Sequence, residues 1–286
     1  MALFKYDKKE YKEKQLTWHT LRTKKMTNKL GVLFRSYAGD VRASYRSFGL
    51  PVFPGEFNES LRLLLAREYT RTADLFSEFH RDYLTLTPER LAEVEVVIED
   101  SLRSSLFAMS ETQSSFITTT TQRNLMRAVE QVREVSGDLT IGQEANLIHQ
   151  ELTTNVAPRA RLISTTETTR VSELSKRTEV EQLVSHLTTD EINTAYGDEL
   201  SEEELDSIEG MGAAAAVSAG LLLVSRTWNA VLDSSTRIGH AAATGQTISN
   251  PRDTFDVGGE ALSFPGDPIG SAANTINCRC FLTYST

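Results

Sequence analysis

The apolar positions of this chain change period along its length. Around Thr87 the sequence reads Thr-Pro-Glu-Arg, with a capping hydroxyl at Thr87 and a proline at the first helical position. Leu91, Val94, Ile98, Leu102, Leu106 and Met109 follow at steps of three and four. That spacing predicts an amphipathic helix of about 22 residues. Thr140 and Gln143 stand at capping-box spacing ahead of Ala145, Leu147, Ile148 and Leu152. Pro51 and Pro54 punctuate the chain before this region, and strand-like alternation is scarce before residue 155. Segment 51–154 is therefore expected to be long helices whose role is packing.

Beyond it the pattern breaks. Pro158 opens a new segment, PRARLISTTETTRVSEL. Towards the end come Gly239, Gly245, Gly258, Gly259, Gly266 and Gly270 with Pro251, Pro265 and Pro268, a composition of loops and short strands. Between these lies WNAVLDSSTRIGH, residues 228–240. Read as a helix, it places Trp228, Val231 and Leu232 on an apolar face. Asp233, Arg237 and His240 then share the opposite face at spacings of four and three. The expected fold class is α+β: a mainly helical N-terminal region and a compact α+β C-terminal domain. The expected divisions are 1–50, 51–154 and 155–286.

With 40% apolar and 24% charged residues in 286, the composition is that of a globular protein with a real core. The net charge of -9 hides an asymmetry. Residues 1–48 carry 12 Lys and Arg against 4 Asp and Glu, a net of +8, which leaves -17 for the rest. This basic arm includes Lys8, Lys9, Lys12, Lys24 and Lys25, interleaved with Tyr6, Tyr11, Trp18, Tyr37 and Tyr45. Such a pattern suits phosphate attraction with base stacking. It suits equally a solvated amphipathic helix packed on another subunit. The second reading is favoured, because no nucleic-acid module signature is present.

Other features exclude more than they assign. The acidic stretch Asp198, Glu199, Glu202, Glu203, Glu204, Asp206 and Glu209 lacks the glycine-centred oxygen pattern of a calcium loop and reads as a solvated face or linker. Met211–Val224 is alanine- and glycine-rich and shorter than the roughly 20 residues a spanning helix needs. No membrane span is expected, but a tightly packed internal helix. Met1-Ala2-Leu3-Phe4 is followed by charge, unlike a signal peptide. Cys278 and Cys280, the two cysteines, form a C-x-C pair too close for an easy intrachain disulfide, which suits a reducing cytoplasm. Neither a P-loop nor a G-x-S-x-G elbow is present.

The C-terminal constellation leaves three readings open. Asp233, Arg237 and His240 form a structural clasp for the tail from Phe255 to Tyr284. Alternatively, His240, Cys278 and Cys280 bind zinc, with a fourth ligand such as Asp267. In the third, Asp233 and His240 serve a hydrolytic or nuclease-like site, for which no convincing nucleophile stands nearby.

The order of residues resembles the phage head morphogenesis family, the Mu F-like minor head proteins. The residues that carry the resemblance are Trp228, Asp233, Arg237, His240, Gly245, Phe255, Gly259, Pro265, Gly266, Asp267, Asn277, Cys278, Arg279 and Cys280. Upstream, Ile163, Thr166 and Glu167 resemble the family's Arg-x-x-Ile-x-x-Thr-Glu element. Thr165 stands where the family commonly has an arginine, which leaves the charge partner of Glu167 open. The resemblance spans about half the chain. It implies a low-copy, non-catalytic virion protein at the portal vertex or capsid interior, made in the host cytoplasm and influencing head assembly and DNA retention or ejection. The implied partner is the portal protein, with capsid or scaffold proteins and packaged DNA as further candidates. Glu167, Asp233, Arg237, His240 and Asn277 would brace the domain, and no cofactor is expected. The alternatives are a zinc-dependent nuclease-like enzyme and a DNA-binding ejection protein.

Overall fold

The computed structural model describes residues 3–5, 7–85, 87–196, 200–219, 221, 222, 224–250 and 252–285. Tyr6, Asp198, Glu199, Gly220, Leu223 and Pro251 lie outside the described residues, as do the side chains of Lys8, Leu91, Val94 and Ile98. Helices make up about 69% of the chain, with small antiparallel sheets near the C-terminus. The α+β class and its mainly helical N-terminal region are as the pattern predicts.

Five helices come first: α1 (Lys8–Phe48), α2 (Phe57–Arg81), α3 (Pro88–Val135), α4 (Ile141–Thr154) and α5 (Val156–Ser185). Helix α3 runs 48 residues, well past the predicted 22. Its buried face is polar from Ser110 to Thr121, before Leu125, Ala128, Val129 and Val132 resume an apolar stripe. The hydroxyls of Ser110, Thr112, Ser114, Thr120 and Thr121 donate back to carbonyls three or four residues earlier, which lets these polar residues remain helical. Helix α4 starts at the predicted capping box, with Thr140 and Gln143 each accepting from the other's backbone N–H. Pro158 sits in the first turn of α5, where its missing N–H costs nothing.

The chain divides into two compact units. One comprises residues 1–19, 71–104 and 165–286, the other 20–70 and 105–164. These limits fall inside α1, α2, α3 and α5, so they do not follow the linear divisions at 50 and 154. The cause is helix length: each long helix contributes buried residues to both cores.

The second unit is all helix. Met26, Leu30, Phe34, Tyr37, Val41 and Tyr45 of α1 recur every three or four residues and are buried. Tyr37 packs on Phe53 and Phe57, and the Tyr45 hydroxyl donates to Glu144. In the first unit, Tyr11 packs against Phe79, Tyr83 and Phe281. Tyr11, Tyr37 and Tyr45 are therefore core residues of their own chain, with Trp18 half-buried against the Tyr11 cluster, which corrects the base-stacking reading for these aromatics. Lys9, Lys24 and Lys25 are exposed and Lys12 is half-buried.

The first unit continues with α6 (Thr189–Tyr196), α7 (Glu202–Met211) and α8 (Ala213–Ala219). Glu202, Glu203 and Glu204 occupy the exposed first turn of α7, a favourable place for negative charge, so the acidic stretch is in part a solvated helix start. The expected internal helix over 211–224 reduces to the seven residues of α8, with Ala213 and Ala216 buried. Among the described residues no helix is long and apolar enough to cross a membrane.

Strands β1 (Ser225–Asn229), β2 (Thr247–Ile248) and β5 (Phe281–Ser285) form an antiparallel sheet in the order β2-β1-β5. Trp228 of β1 stands opposite Leu282 of β5. Strands β3 (Phe255–Val257) and β4 (Glu260–Leu262) form a hairpin. Its two-residue turn, Gly258-Gly259, has φ of 62° and 84°, the doubly left-handed geometry that glycine supplies without strain. Two short helices, α9 (Ile238–Ala243) and α10 (Ala272–Thr275), fill the connections.

At the centre of this unit lies α5 from Thr165 onward, buried on all sides as far as Glu173 although most of these residues are polar. Glu173 and Lys176 are both fully buried and paired at 2.7 Å. Burial pushes the Glu173 carboxyl up and the Lys176 ammonium down, and each is the other's counter-charge. Glu173 also accepts the Leu282 backbone N–H at 2.8 Å, and Lys176 donates to the Leu282 carbonyl at 3.5 Å. Replacing Glu173 alone by Gln strands a buried ammonium and is expected to destabilise the protein by about 3–5 kcal/mol. The double variant E173Q/K176M is expected to recover most of that loss. Denaturant unfolding of the three proteins checks this, and a double variant less stable than E173Q contradicts it.

Candidate functional site

The segment 228–240 is not a helix. Trp228 belongs to β1, where its N–H donates to the Gln246 carbonyl and its carbonyl accepts from Gly245, so the ladder consumes its backbone groups. Residues 230–237 form a loop that Asp233 organises. The Asp233 carboxylate accepts from the Ser235 N–H at 2.9 Å and the Ser235 hydroxyl at 2.7 Å. Its ion-pair partner is Arg279, at 2.8 Å, and not Arg237. Arg279 and then Ser235 hold the Asp233 carboxyl well below the usual carboxylate range. Arg237 precedes α9, and its guanidinium donates to the Ile276 carbonyl. Both arginine contacts join the 230–237 loop to the C-terminal segment.

Glu167 lies on α5 and pairs with Arg170, one turn along, at 2.6 Å. This settles the partner that Thr165 left open. The Arg170 Nε donates to the Gly266 carbonyl at 2.9 Å. Gly266 has φ of 81°, and a Cβ there would lie 3.1 Å from the Arg170 backbone, so glycine is required on both counts. Asn277 is the one described non-glycine residue with positive φ, 58°, a conformation asparagine tolerates. Its backbone N–H donates to Thr166 Oγ1 at 2.8 Å. Thus Asn277 acts through its backbone turn.

Helix α5 therefore grips the tail through Thr166 and Glu167, which the sequence reading named, and through Thr169, Arg170, Glu173 and Lys176, which it did not. Thr169 Oγ1 donates to the Cys278 carbonyl at 2.5 Å, and His19 Nε2 lies 2.8 Å from that hydroxyl. Because the hydroxyl proton is committed to Cys278, the His19 ring donates to Thr169. Thr166, Thr169, Arg170, Glu173 and Lys176 follow helical steps of one face. That spacing was the available signal, but polar residues at helical period ordinarily mark a solvated face.

The tail so held brings His240, Cys278 and Cys280 together, all buried, with ligand atoms within 4.8 Å of one another. His240 Nδ1 lies 3.2 Å from Cys280 Sγ and 3.6 Å from Cys278 Sγ. A tetrahedral ion with bonds of about 2.3 Å to sulfur and about 2.1 Å to nitrogen sets nitrogen–sulfur edges of about 3.5 Å. These three residues could hold a metal ion. The Cys280 side chain and His240 hydrogen-bond to Cys278 and hold its thiol below the usual thiol range despite burial. The same contact with Cys278, together with burial, pushes the Cys280 thiol up. Asp267 does not join the cluster. Its carboxylate caps a turn, accepting from the N–H groups of Ser263 and Ile269 at 2.9 and 3.1 Å. Asp233 and His240 share no hydrogen bond among the described residues; each is bound to a different part of the tail.

The sequence matches no family model, and neither the curated proteins nor the solved structures contain a match.

His19 supplies a pH handle on this grip. Burial, reinforced by the Arg279 and Lys176 charges, lowers it to about 4 from an ordinary value near 6.5. Between those values the unfolded chain binds a proton that the folded ring refuses. The stability contributed by His19 is thus complete above pH ~6.5 and is lost as pH falls towards ~4, about 3 kcal/mol in all. H19Q, which keeps a donor for Thr169, is expected to flatten this part of the stability curve. Thermal unfolding across that range is the check, and an unchanged slope in H19Q refutes the assignment.

Proposed function

We propose that this protein is a minor head protein of a tailed bacteriophage, docking at the portal vertex on the capsid interior and acting in head assembly and DNA packaging or ejection. The observation that carries the reading is the convergence of the family-like residues. Glu167, Asp233, Arg237, His240, Asn277 and the Cys-Arg-Cys end all engage in holding one tail. A domain whose polar residues are spent on its own closure supports docking more than chemistry. The cavity beside the trio has a volume of about 20 Å³, far below the several hundred of a ligand cleft, which also favours a non-catalytic role over a nuclease. The all-helical unit leaves Phe107, Phe116 and Met126 exposed, apolar surface suited to a protein partner. The exposed Lys9, Lys24 and Lys25 offer positive charge to DNA or to an acidic portal surface. Co-expression with its cognate portal protein is expected to yield a complex that survives gel filtration. Two separate peaks at micromolar concentration would sink the proposal.

Zinc is the metal we assign to His240, Cys278 and Cys280, because two thiolates and an imidazole at these separations suit it. Its role is to lock the tail. Protein purified from zinc-supplemented medium is expected to carry about one zinc per chain. C278S/C280S should carry none and unfold at lower temperature. Metal-free wild-type protein overturns the assignment.

A further inference from the structure

Zinc sites that only hold a fold together are closed by four protein ligands, whereas three ligands leave a position for an exchangeable group. Among the described residues no fourth His, Cys, Asp or Glu joins His240, Cys278 and Cys280. The imidazole offers nothing further: its Nε2 is buried and makes no hydrogen bond among the described residues, so Nδ1, facing the sulfurs, is its one engaged nitrogen. The trio is not sealed, however. All three residues line a cavity of about 20 Å³, room for one water-sized group.

The rest of that lining says what the group is. Ser235, Arg237, Asn277 and Arg279 face the same cavity. Arg279 is neutralised by Asp233. Arg237 is not: its guanidinium donates to a backbone carbonyl, and among the described residues no carboxylate pairs with it. An ion of charge +2 bound by two thiolates and a neutral imidazole forms a site of no net charge. The uncompensated guanidinium beside it then favours an anion over a neutral ligand.

We infer that the metal held by His240, Cys278 and Cys280 keeps its fourth position open to one small anion, seated beside the Arg237 guanidinium. This rests on the metal assignment above and goes beyond it, because a tail lock alone needs no exchangeable ligand. The volume admits a single donor atom, such as hydroxide, halide or the end of a longer anion. A side chain of a docked partner would enter by the same opening.

Cobalt substitution separates the two levels. The full chain, stripped of metal and titrated with Co(II), is expected to bind one equivalent with the thiolate charge-transfer and tetrahedral ligand-field bands of a Cys-Cys-His site. Azide is then the probe. Its addition should shift the ligand-field bands saturably, and R237A should need about tenfold more azide for the same shift. If cobalt is not taken up, the metal assignment itself falls. If cobalt binds and azide leaves the spectrum unchanged in wild-type protein, the site is metal-binding but closed, and this inference alone is overturned. An azide response identical in R237A removes Arg237 from it. The wild-type titration stands even if R237A folds poorly, because it requires no variant.

Discussion

The Leu282 peptide of β5 is held by a buried ion pair. Glu173 takes its N–H and Lys176 reaches its carbonyl, while the two charges lie 2.7 Å apart with no exposure. Neither charge would remain in the interior alone, since an unpaired buried ion costs several kcal/mol. Their pairing is tolerable because the surroundings complete it. Gln15 donates to Glu173, and the rings of Tyr11 and Phe281 stand 5.8 and 5.9 Å from the ammonium. Strand β5 in turn pairs with β1 along its whole length, so the register of Trp228 against Leu282 depends on this grip.

One turn at a time, α5 repeats the same device along the tail. Glu167 and Arg170 hold the Gly266 turn, Thr166 takes the Asn277 N–H, and Thr169 takes the Cys278 carbonyl. Each contact satisfies a backbone group that an irregular segment would otherwise bury without a partner. A sheet edge or an apolar helix could not do this, because the tail between Gly266 and Cys280 is mostly not strand and offers no regular ladder. A polar central helix is the consistent solution, at the cost of burying many hydroxyls and charges. The His-Cys-Cys cluster follows from it: Cys278 and Cys280 meet His240 because the backbone on either side of them is fixed to α5.

This construction bears on function. Thr166, Glu167, Asp233, Arg237, His240, Asn277 and Cys280 are spread over more than a hundred positions, yet they serve one joint. Trp228 and Phe255 stack beneath it at 5.3 Å, and the Trp228 ring meets His240 edge-on at 6.1 Å. A joint of this kind fixes the tail to α5 and leaves a His-Cys-Cys cluster that could hold a metal ion.

Several features were legible from the chain alone because they depend on neighbours within a turn. The capping box at Thr140, the start of α3 at Pro88, the helical character of 51–154 and the loop-and-strand character of the last segment are of this type, as is the glycine pair of the β3–β4 turn. The order of Asp233, Arg237, His240 and Cys-Arg-Cys likewise pointed to the tail. Tertiary structure alone decided the partners. Asp233 passes over Arg237 for Arg279, because residues 230–237 are loop and lack the helical turn that would bring i and i+4 together. The polar face of α5 is interior and Tyr11, Tyr37 and Tyr45 of the basic arm are core, since long-range packing, not local period, determines which face meets water. Sequence patterning reports whether a residue can be buried; whether a buried polar group finds its partner depends on chain that arrives from a hundred residues away.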